Sequence, residues 1–228
     1  MIRFHDLRPD FALTVRPAPD LDERIEARVR ACWSEARANA PRLFDDPLLS
    51  LVDHDPSRLT ACVSSYRYLV AQRRDPSLRG ALSLRPLAVT GVLRCADGLV
   101  LARRAAHVTT DPGLWEPAPS GGLDRDDPVG QLLEELREEL GLAPDDVGPP
   151  RAVVLMETPR DATFDIVYEL VTPRAGAEVR AAWTSSGSDE YADVAVLPPG
   201  DLRAFVGREA ARLASVTLPL LRRLGWLG

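Results

Sequence analysis

The sequence lacks lysine altogether, because all 28 of its basic residues are arginine. This excludes Schiff-base chemistry and the lysine of a P-loop, which both need a primary amine. No apolar run reaches the roughly 20 residues of a membrane-spanning helix. The first stretch, MIRFHDLRPDF, has no apolar segment of the kind found in a signal peptide. We therefore expect a cytoplasmic protein with no membrane partner.

Cysteine and histidine are scarce, with three of each. The cysteines are widely spaced, form no C-x-x-C pair and have no histidine at the spacing of a zinc site. We expect free thiols in a reducing compartment. The net charge is −6 and no basic run is present, so we expect no nucleic-acid partner. A small anionic substrate would need local arginines or a metal cation to offset the negative field.

The pattern of the chain changes near Arg85. Before it, FALTVRP indicates a short strand, and residues 20–40 indicate a helix that Asp20 can cap. Two further stretches, PLLSLVDHD and RLTACVSSYRYLV, alternate between apolar and polar residues as strands do. After it, apolar strands surround one central helix, and helical patterns end the chain. We predict an α/β or α+β fold with an N-terminal α+β segment at 1–82 and a second domain at 83–228.

The central helix carries the most informative pattern, GGLDRDDPVGQLLEELREELGL, in which four glutamates stand within six positions. Asp127 before Pro128 is a strong helix start, and Gly141 is a typical end. At about 100° per residue, the leucines and three of the glutamates fall on different sides. The acidic stripe comprises Glu135, Glu138 and Glu139. It is either a solvated face or an oxygen-rich site for a hard divalent cation.

The helix and its surroundings resemble the signature of the Nudix hydrolase superfamily. That signature is a glycine, five residues, a glutamate, seven residues, and then Arg-Glu-apolar-x-Glu-Glu-x-Gly-apolar. Here the second half is EELREELGL, at residues 134–142. PLAVTGVLRCADGLVLARRA is similar to the first hairpin of the family, and GLWEPAPSGG to the strand that enters the signature. The resemblance covers about residues 85–205 and implies an α/β/α sandwich with a mixed sheet.

The resemblance implies hydrolysis of a diphosphate linkage in a nucleoside diphosphate derivative by metal-activated water. It implies that Glu135, Glu138 and Glu139 bind Mg²⁺, with Mn²⁺ as the other candidate, and take part in catalysis. A backbone carbonyl of Gly122 or Gly121 is implied as a further metal ligand.

Further site residues follow from the same resemblance. In SSGSDEYADV, Glu190 stands near a loop glutamate that is catalytic or metal-binding in relatives; the alternative is an exposed loop carboxylate. Arg103 and Arg104 end the first hairpin, where relatives hold substrate phosphates, and guanidinium suits phosphate. Surface arginines are the alternative. Trp115 would stack on a base or sugar, or else pack in the core, and Gly121 would lie against the substrate.

The chain departs from the signature at two places. Glu134 stands where relatives keep an arginine that orients the carboxylates. The loop before the helix is about two residues shorter, so the first signature glutamate falls nearest Asp126, or on Asp127 or Asp124. A shorter carboxylate there implies altered geometry around the metal, and Arg137 could pair with Glu134.

The N-terminal segment is similar to that of the Nudix branch that hydrolyses UDP-glucose and UDP-galactose. This indicates a nucleotide sugar such as UDP-glucose as substrate, giving a nucleoside monophosphate and a sugar phosphate, and a homodimer built through that segment. One alternative is a prenyl or other biosynthetic diphosphate. The other is a catalytically weak nucleotide-binding sensor, for which Glu134 is the main argument.

Overall fold

The computed structural model describes residues 1–40 and 43–227 and contains two β-sheets. The strands are β1 (Arg3–Asp6), β2 (Ala12–Arg16), β3 (Pro47–Asp55), β4 (Arg58–Ser65), β5 (Leu87–Cys95), β6 (Gly98–Arg104), β7 (Trp115–Pro117), β8 (Ser120–Gly122), β9 (Arg151–Thr158), β10 (Thr163–Val171) and β11 (Tyr191–Leu197). The helices are α1 (Glu23–Asn39), α2 (Tyr66–Arg74), α3 (Arg79–Leu82), α4 (Pro128–Leu140), α5 (Gly176–Ser186), α6 (Pro199–Arg208) and α7 (Thr217–Arg223). Within the described ranges, no helix combines the length and the apolar character needed to cross a bilayer.

The larger sheet has the order β1-β9-β10-β5-β6-β11, with β7 on β6 and β8 on β5. It is mixed, because β10 runs parallel to β5 and the other pairs are antiparallel. Alternate strand residues enter different cores: Val89 packs in the cluster that contains the leucines of α4, and Val92 in the cluster that contains α6 and α7. Helices therefore cover both faces, and the predicted α/β/α arrangement around a mixed sheet is confirmed.

The smaller sheet has the order β2-β4-β3 and belongs to the N-terminal segment. A third core cluster joins α1 to α2 through Val29, Ala71 and Leu78. The segment also gives its first strand to the larger sheet, since His5 of β1 is the register partner of Leu155 in β9. The division after residue 82 stays a prediction.

Three local predictions differ from the structure. The cap of α1 is Asp22, not Asp20: its carboxylate accepts the N–H of Arg24 at 2.8 Å. RLTACVSSYRYLV is a strand only to Ser65, after which α2 begins and buries Leu69 at a helical spacing. Helix α5 was not predicted, because its sequence GAEVRAAWTSS shows little apolar periodicity and only one large apolar side chain, that of Val179, is fully buried.

The hairpin of β5 and β6 opens into a fork. The two strands pair only at Arg94–Leu99 and Cys95–Gly98 and then separate. Beyond that point β8 pairs with β5, at Ala88–Gly122 through Thr90–Ser120, while β7 pairs with β6. Helix α4 packs against β5 and β8, so its exposed face borders the opening of the fork.

Candidate active site

Helix α4 has the bounds that its sequence predicts, Pro128 to Leu140. Asp127 caps it by accepting the N–H of Gly130 at 2.9 Å, and Gly141 ends it with a φ of 68°, which favours glycine. Leu132 and Leu136 are fully buried in the core. The leucine side therefore fixes the rotation of the helix and turns the acidic stripe toward the fork.

A cavity of about 670 Å³ lies at the fork. Its lining comprises Ala88, Arg104, Thr110, Ser120, Gly121, Gly122, Glu135, Glu138, Glu139, Asp165, Ser188, Asp189 and Glu190. We call this cavity the acidic pocket. It brings together seven of the nine predicted site residues; the two that do not line it are Arg103 and Trp115.

Glu139 is held rigidly in the acidic pocket. One carboxylate oxygen accepts the backbone N–H of Ser120 at 2.9 Å and the hydroxyl of Tyr191 at 2.8 Å. Burial raises the pKa of Glu139 well above its usual value, and the two hydrogen bonds oppose this shift only in part. The anionic form therefore lacks a compensating positive charge.

Glu135 lies directly over the backbone of Gly121. A side chain at position 121 would overlap the Glu135 carboxylate, so only glycine allows this approach. Gln131 donates to Glu135 at 2.8 Å, and burial, with Glu138 nearby, raises the pKa of Glu135. Glu138 is the outermost of the three, with 55% of its side chain exposed, and pairs with Arg137 at 2.9 Å.

Arg104 bridges two carboxylates across the fork. Its guanidinium lies 2.8 Å from Glu116 and 2.7 Å from Glu190, and its Nε donates to the carbonyl of Thr110 at 2.7 Å. Only 12% of the Arg104 side chain is exposed. Its direct role in this structure is thus to orient Glu190, which is part of the pocket wall and not an isolated loop carboxylate.

Arg103 and Trp115 lie outside the acidic pocket. Trp115 is 6% exposed and packs edge-to-face on Phe205, with ring centroids 5.2 Å apart. Arg103 lies over the same indole, 5.7 Å from the ring centroid. Of the two alternatives for Trp115, the structure places it in the core beneath α6.

Two acidic residues of the site were missed by the sequence analysis. Burial raises the pKa of Glu116 to about 7 although Arg104 opposes the shift. Burial also raises the pKa of Asp165 to about 6, and Thr90 donates a hydrogen bond to its carboxylate at 3.1 Å. Glu116 interrupts the short strand WEP, and Asp165 interrupts the apolar strand TFDIVYELV. A carboxylate within such a strand is the sequence signal that could have identified each residue.

Glu134 is outside the acidic pocket and pairs with Arg125 at 2.8 Å. The expected partner, Arg137, contacts Glu138 instead. The three aspartates considered for the first signature position also lie outside the pocket lining, and Asp127 serves as the helix cap. Among the described residues, Arg137 is therefore paired with Glu138, and no arginine pairs with Glu135 or Glu139.

The donor chemistry of the acidic pocket fits a hard divalent cation. In the ranges 1–40 and 43–227, no three Asp, Glu, His or Cys side chains already converge as metal ligands. The candidate carboxylates are instead engaged by Ser120, Tyr191, Gln131 and Arg137. Yet the pKa values of Glu135 and Glu139 are raised, which means that positive charge is lacking around them. All-oxygen donors are those that Mg²⁺ and Mn²⁺ prefer.

Comparisons with known proteins give both a sequence relative and a structural one. Over 98 residues the chain is 34% identical to the RNA pyrophosphohydrolase of Gluconacetobacter diazotrophicus, which covers 40% of this chain and 54% of that protein. The chain thus matches about half the length of this curated relative. No family model matches the chain.

Among solved structures, the protein DR0079 of Deinococcus radiodurans aligns with a TM-score of 0.52 and 20% identity, covering 78% of this chain and 98% of that one. A more distant match is the Nudix domain of NrtR from Shewanella oneidensis, solved with ADP-ribose. It has a TM-score of 0.43 and 21% identity, and covers 66% of this chain and 90% of that one.

Proposed function

We propose that this chain, whose central helix resembles the signature helix of the Nudix hydrolase superfamily, is a pyrophosphohydrolase. It would cleave the diphosphate linkage of a nucleoside diphosphate derivative. The observation that carries the proposal is the acidic pocket, where Glu135, Glu138 and Glu139 from α4 face Glu190 from the opposite wall of the fork.

In this proposal Glu135, Glu138 and Glu139 hold Mg²⁺, with the backbone carbonyl of Gly122 as a further ligand. A divalent cation bound there would offset phosphate charge and lower the pKa of a bound water. Ser120 and Tyr191 hold one oxygen of Glu139, and the other oxygen has no hydrogen bond among the described residues that would compete with a cation. Mn²⁺ satisfies the same donor set.

Arg104 would act as a positioning residue. By holding Glu190 at 2.7 Å it fixes a carboxylate on the wall opposite α4, where it can accept a proton from attacking water. A helix glutamate is the other candidate base. Six carboxyl groups and one guanidinium line the pocket, so it would attract a cation before an anionic substrate.

The narrower substrate proposal is a nucleotide sugar such as UDP-glucose, and it rests on the similarity of the N-terminal segment to that branch of the superfamily. A homodimer through the same segment is proposed on the same basis. The sequence relative is named for action on RNA, so a test panel should include RNA with a 5′ diphosphate. ADP-ribose and a prenyl diphosphate complete the panel.

The test compares the full chain with two matched variants of α4. Glu139→Gln removes a pocket carboxylate, while Glu134→Gln removes one outside the pocket lining. With Mg²⁺ we expect nucleoside monophosphate release to fall by roughly 100-fold or more in Glu139→Gln and to be unchanged in Glu134→Gln. EDTA should abolish turnover in all three proteins.

Equal turnover by Glu139→Gln and the unmodified chain would refute the site. Tight binding of a panel compound without turnover over hours would favour the sensor alternative.

A further inference from the structure

A second cavity, of about 1020 Å³, lies between the smaller sheet, helices α2 and α3, and the turn that joins β9 to β10. Its charged lining residues are Arg16, Arg73, Arg79, Arg85, Arg160 and one carboxylate, Asp161. We call this cavity the arginine cleft. Five guanidinium groups line this cavity, although the net charge of the whole chain is −6.

Four of these arginines have no partner among the described residues. The guanidinium groups of Arg16, Arg73, Arg79 and Arg160 make no ion pair or hydrogen bond with any residue of 1–40 or 43–227. Arg85 differs, because its Nε donates to the carbonyl of Leu51 at 2.9 Å and its guanidinium lies over a phenylalanine ring. Like charges that face one cavity repel, and a bound anion would remove that repulsion.

The arginine cleft and the acidic pocket are lined by neighbouring positions of one stretch of the chain. Arg85 lines the cleft, and Ala88, three residues further along the same extended segment, lines the acidic pocket. At a strand rise of about 3.3 Å per residue, these two positions are roughly 10 Å apart. One molecule could therefore place a diphosphate in the pocket and a second anionic group in the cleft.

Phosphate is the anion that suits this cleft best. A phosphate monoester carries a charge of about −1.5 to −2 near neutral pH, so it can engage two or more guanidinium groups. Arginine binds phosphate through paired N–H donors with matching geometry. The single carboxylate, Asp161, leaves the cleft with an excess of positive charge.

We propose that the arginine cleft binds a phosphate group and that, within the function proposed above, this group belongs to the substrate. The substrate class is then a diphosphate compound with an additional phosphate remote from the hydrolysed linkage. Arg73 and Arg79 are placed on α2 and α3 of the N-terminal segment, so that segment selects the substrate while α4 supplies the reaction site.

The first experiment tests the cleft alone. Tripolyphosphate is titrated into the metal-free full chain at low salt by calorimetry. We expect Arg73→Gln/Arg79→Gln to weaken binding by about tenfold or more, since hydrogen bonds to charged groups are lost. The control Arg24→Gln/Arg37→Gln removes the same charge from exposed positions of α1 outside the cleft and should bind as the unmodified chain does.

Thermal unfolding of each variant verifies that it is folded. Absence of binding to the unmodified chain, or equal weakening in both double variants, would overturn the cleft as a phosphate site.

The second experiment tests the substrate class. ADP-ribose and ADP-ribose 2′-phosphate differ by one phosphate, and the quantity compared is the ratio of their kcat/KM values. We expect this ratio to favour the phosphorylated compound in the unmodified chain and in the α1 control, and to fall about tenfold in Arg73→Gln/Arg79→Gln. An unchanged ratio would refute the substrate claim.

If neither compound is hydrolysed, the proposed function fails for both compounds, and the ratio is taken from their dissociation constants instead. The tripolyphosphate titration decides the cleft in either case.

Discussion

Replacing Glu116 by glutamine should change how the stability of the protein depends on pH. Burial raises the pKa of Glu116 from 4.5 to about 7. At about 1.36 kcal/mol per unit, the shift corresponds to about 3 kcal/mol of unfolding free energy. Glutamine keeps a hydrogen-bonding oxygen for Arg104 and has no proton to lose.

The sign follows from which state holds the proton. Between pH 4.5 and about 7 the folded Glu116 is still protonated while the unfolded one is ionised. The stability that Glu116 contributes is therefore complete below pH 4.5 and is lost as the pH rises through about 7. Glutamine does not titrate, so the variant does not lose this stability. The difference in unfolding free energy, variant minus unmodified chain, should therefore increase by about 3 kcal/mol from about pH 4 to about pH 8.

The assay is urea unfolding at several pH values, followed by fluorescence of the four tryptophans. EDTA is present throughout, because a cation near the carboxylates would lower their pKa values. Comparing the variant with the unmodified chain at each pH cancels the titration of groups that do not interact with Glu116. A difference in stability that stays constant across the pH range, or that falls as the pH rises, would refute the reasoning.

Three further substitutions test the scaffold of the site. Leu136→Ala, at a fully buried position, should lower the unfolding free energy in urea by about 2–5 kcal/mol; a loss below 1 kcal/mol would contradict the packing of α4. Gly121→Ala should displace the Glu135 carboxylate and reduce turnover by about tenfold or more with an unchanged circular dichroism spectrum, and full activity would exclude that contact. Glu134→Arg breaks only the partly exposed pair with Arg125, so we expect an unfolding free energy within about 1 kcal/mol of that of the unmodified chain. Its turnover should equal or exceed that of the unmodified chain. A large loss of activity would show that Glu134 takes part in the reaction.

The signature helix could be predicted from the sequence because its determinants are local. The cap at Asp127, the end at Gly141 and the separation of leucines from glutamates all lie within 15 residues of one another. The predicted helix from about Pro128 to Leu140 therefore agrees with the structure. The extra helix α5 was not predicted, because α5 is amphipathic only weakly and its stability comes from packing against α4 and β11.

The partners of Arg104 could not be derived from the sequence. Glu190 is 86 positions away and reaches Arg104 because Tyr191 is the register partner of Arg104 in the pairing of β11 with β6. Glu116 reaches it from the other side through β7. The same dependence on strand register explains why two residues were missed: Asp165, which lines the acidic pocket, and Glu116, which contacts the pocket residue Arg104.

The pairing of β1 with β9 has a consequence for how the chain is synthesised. His5 emerges from the ribosome long before Leu155, its register partner 150 positions later. Strand β1 therefore remains unpaired until β9 has been synthesised. A fragment that starts at residue 83 would leave the β9 edge uncovered, and exposed edges template association between chains. We therefore expect a fragment of residues 83–228 to aggregate under conditions in which the whole chain does not. Expression trials should keep the first strand.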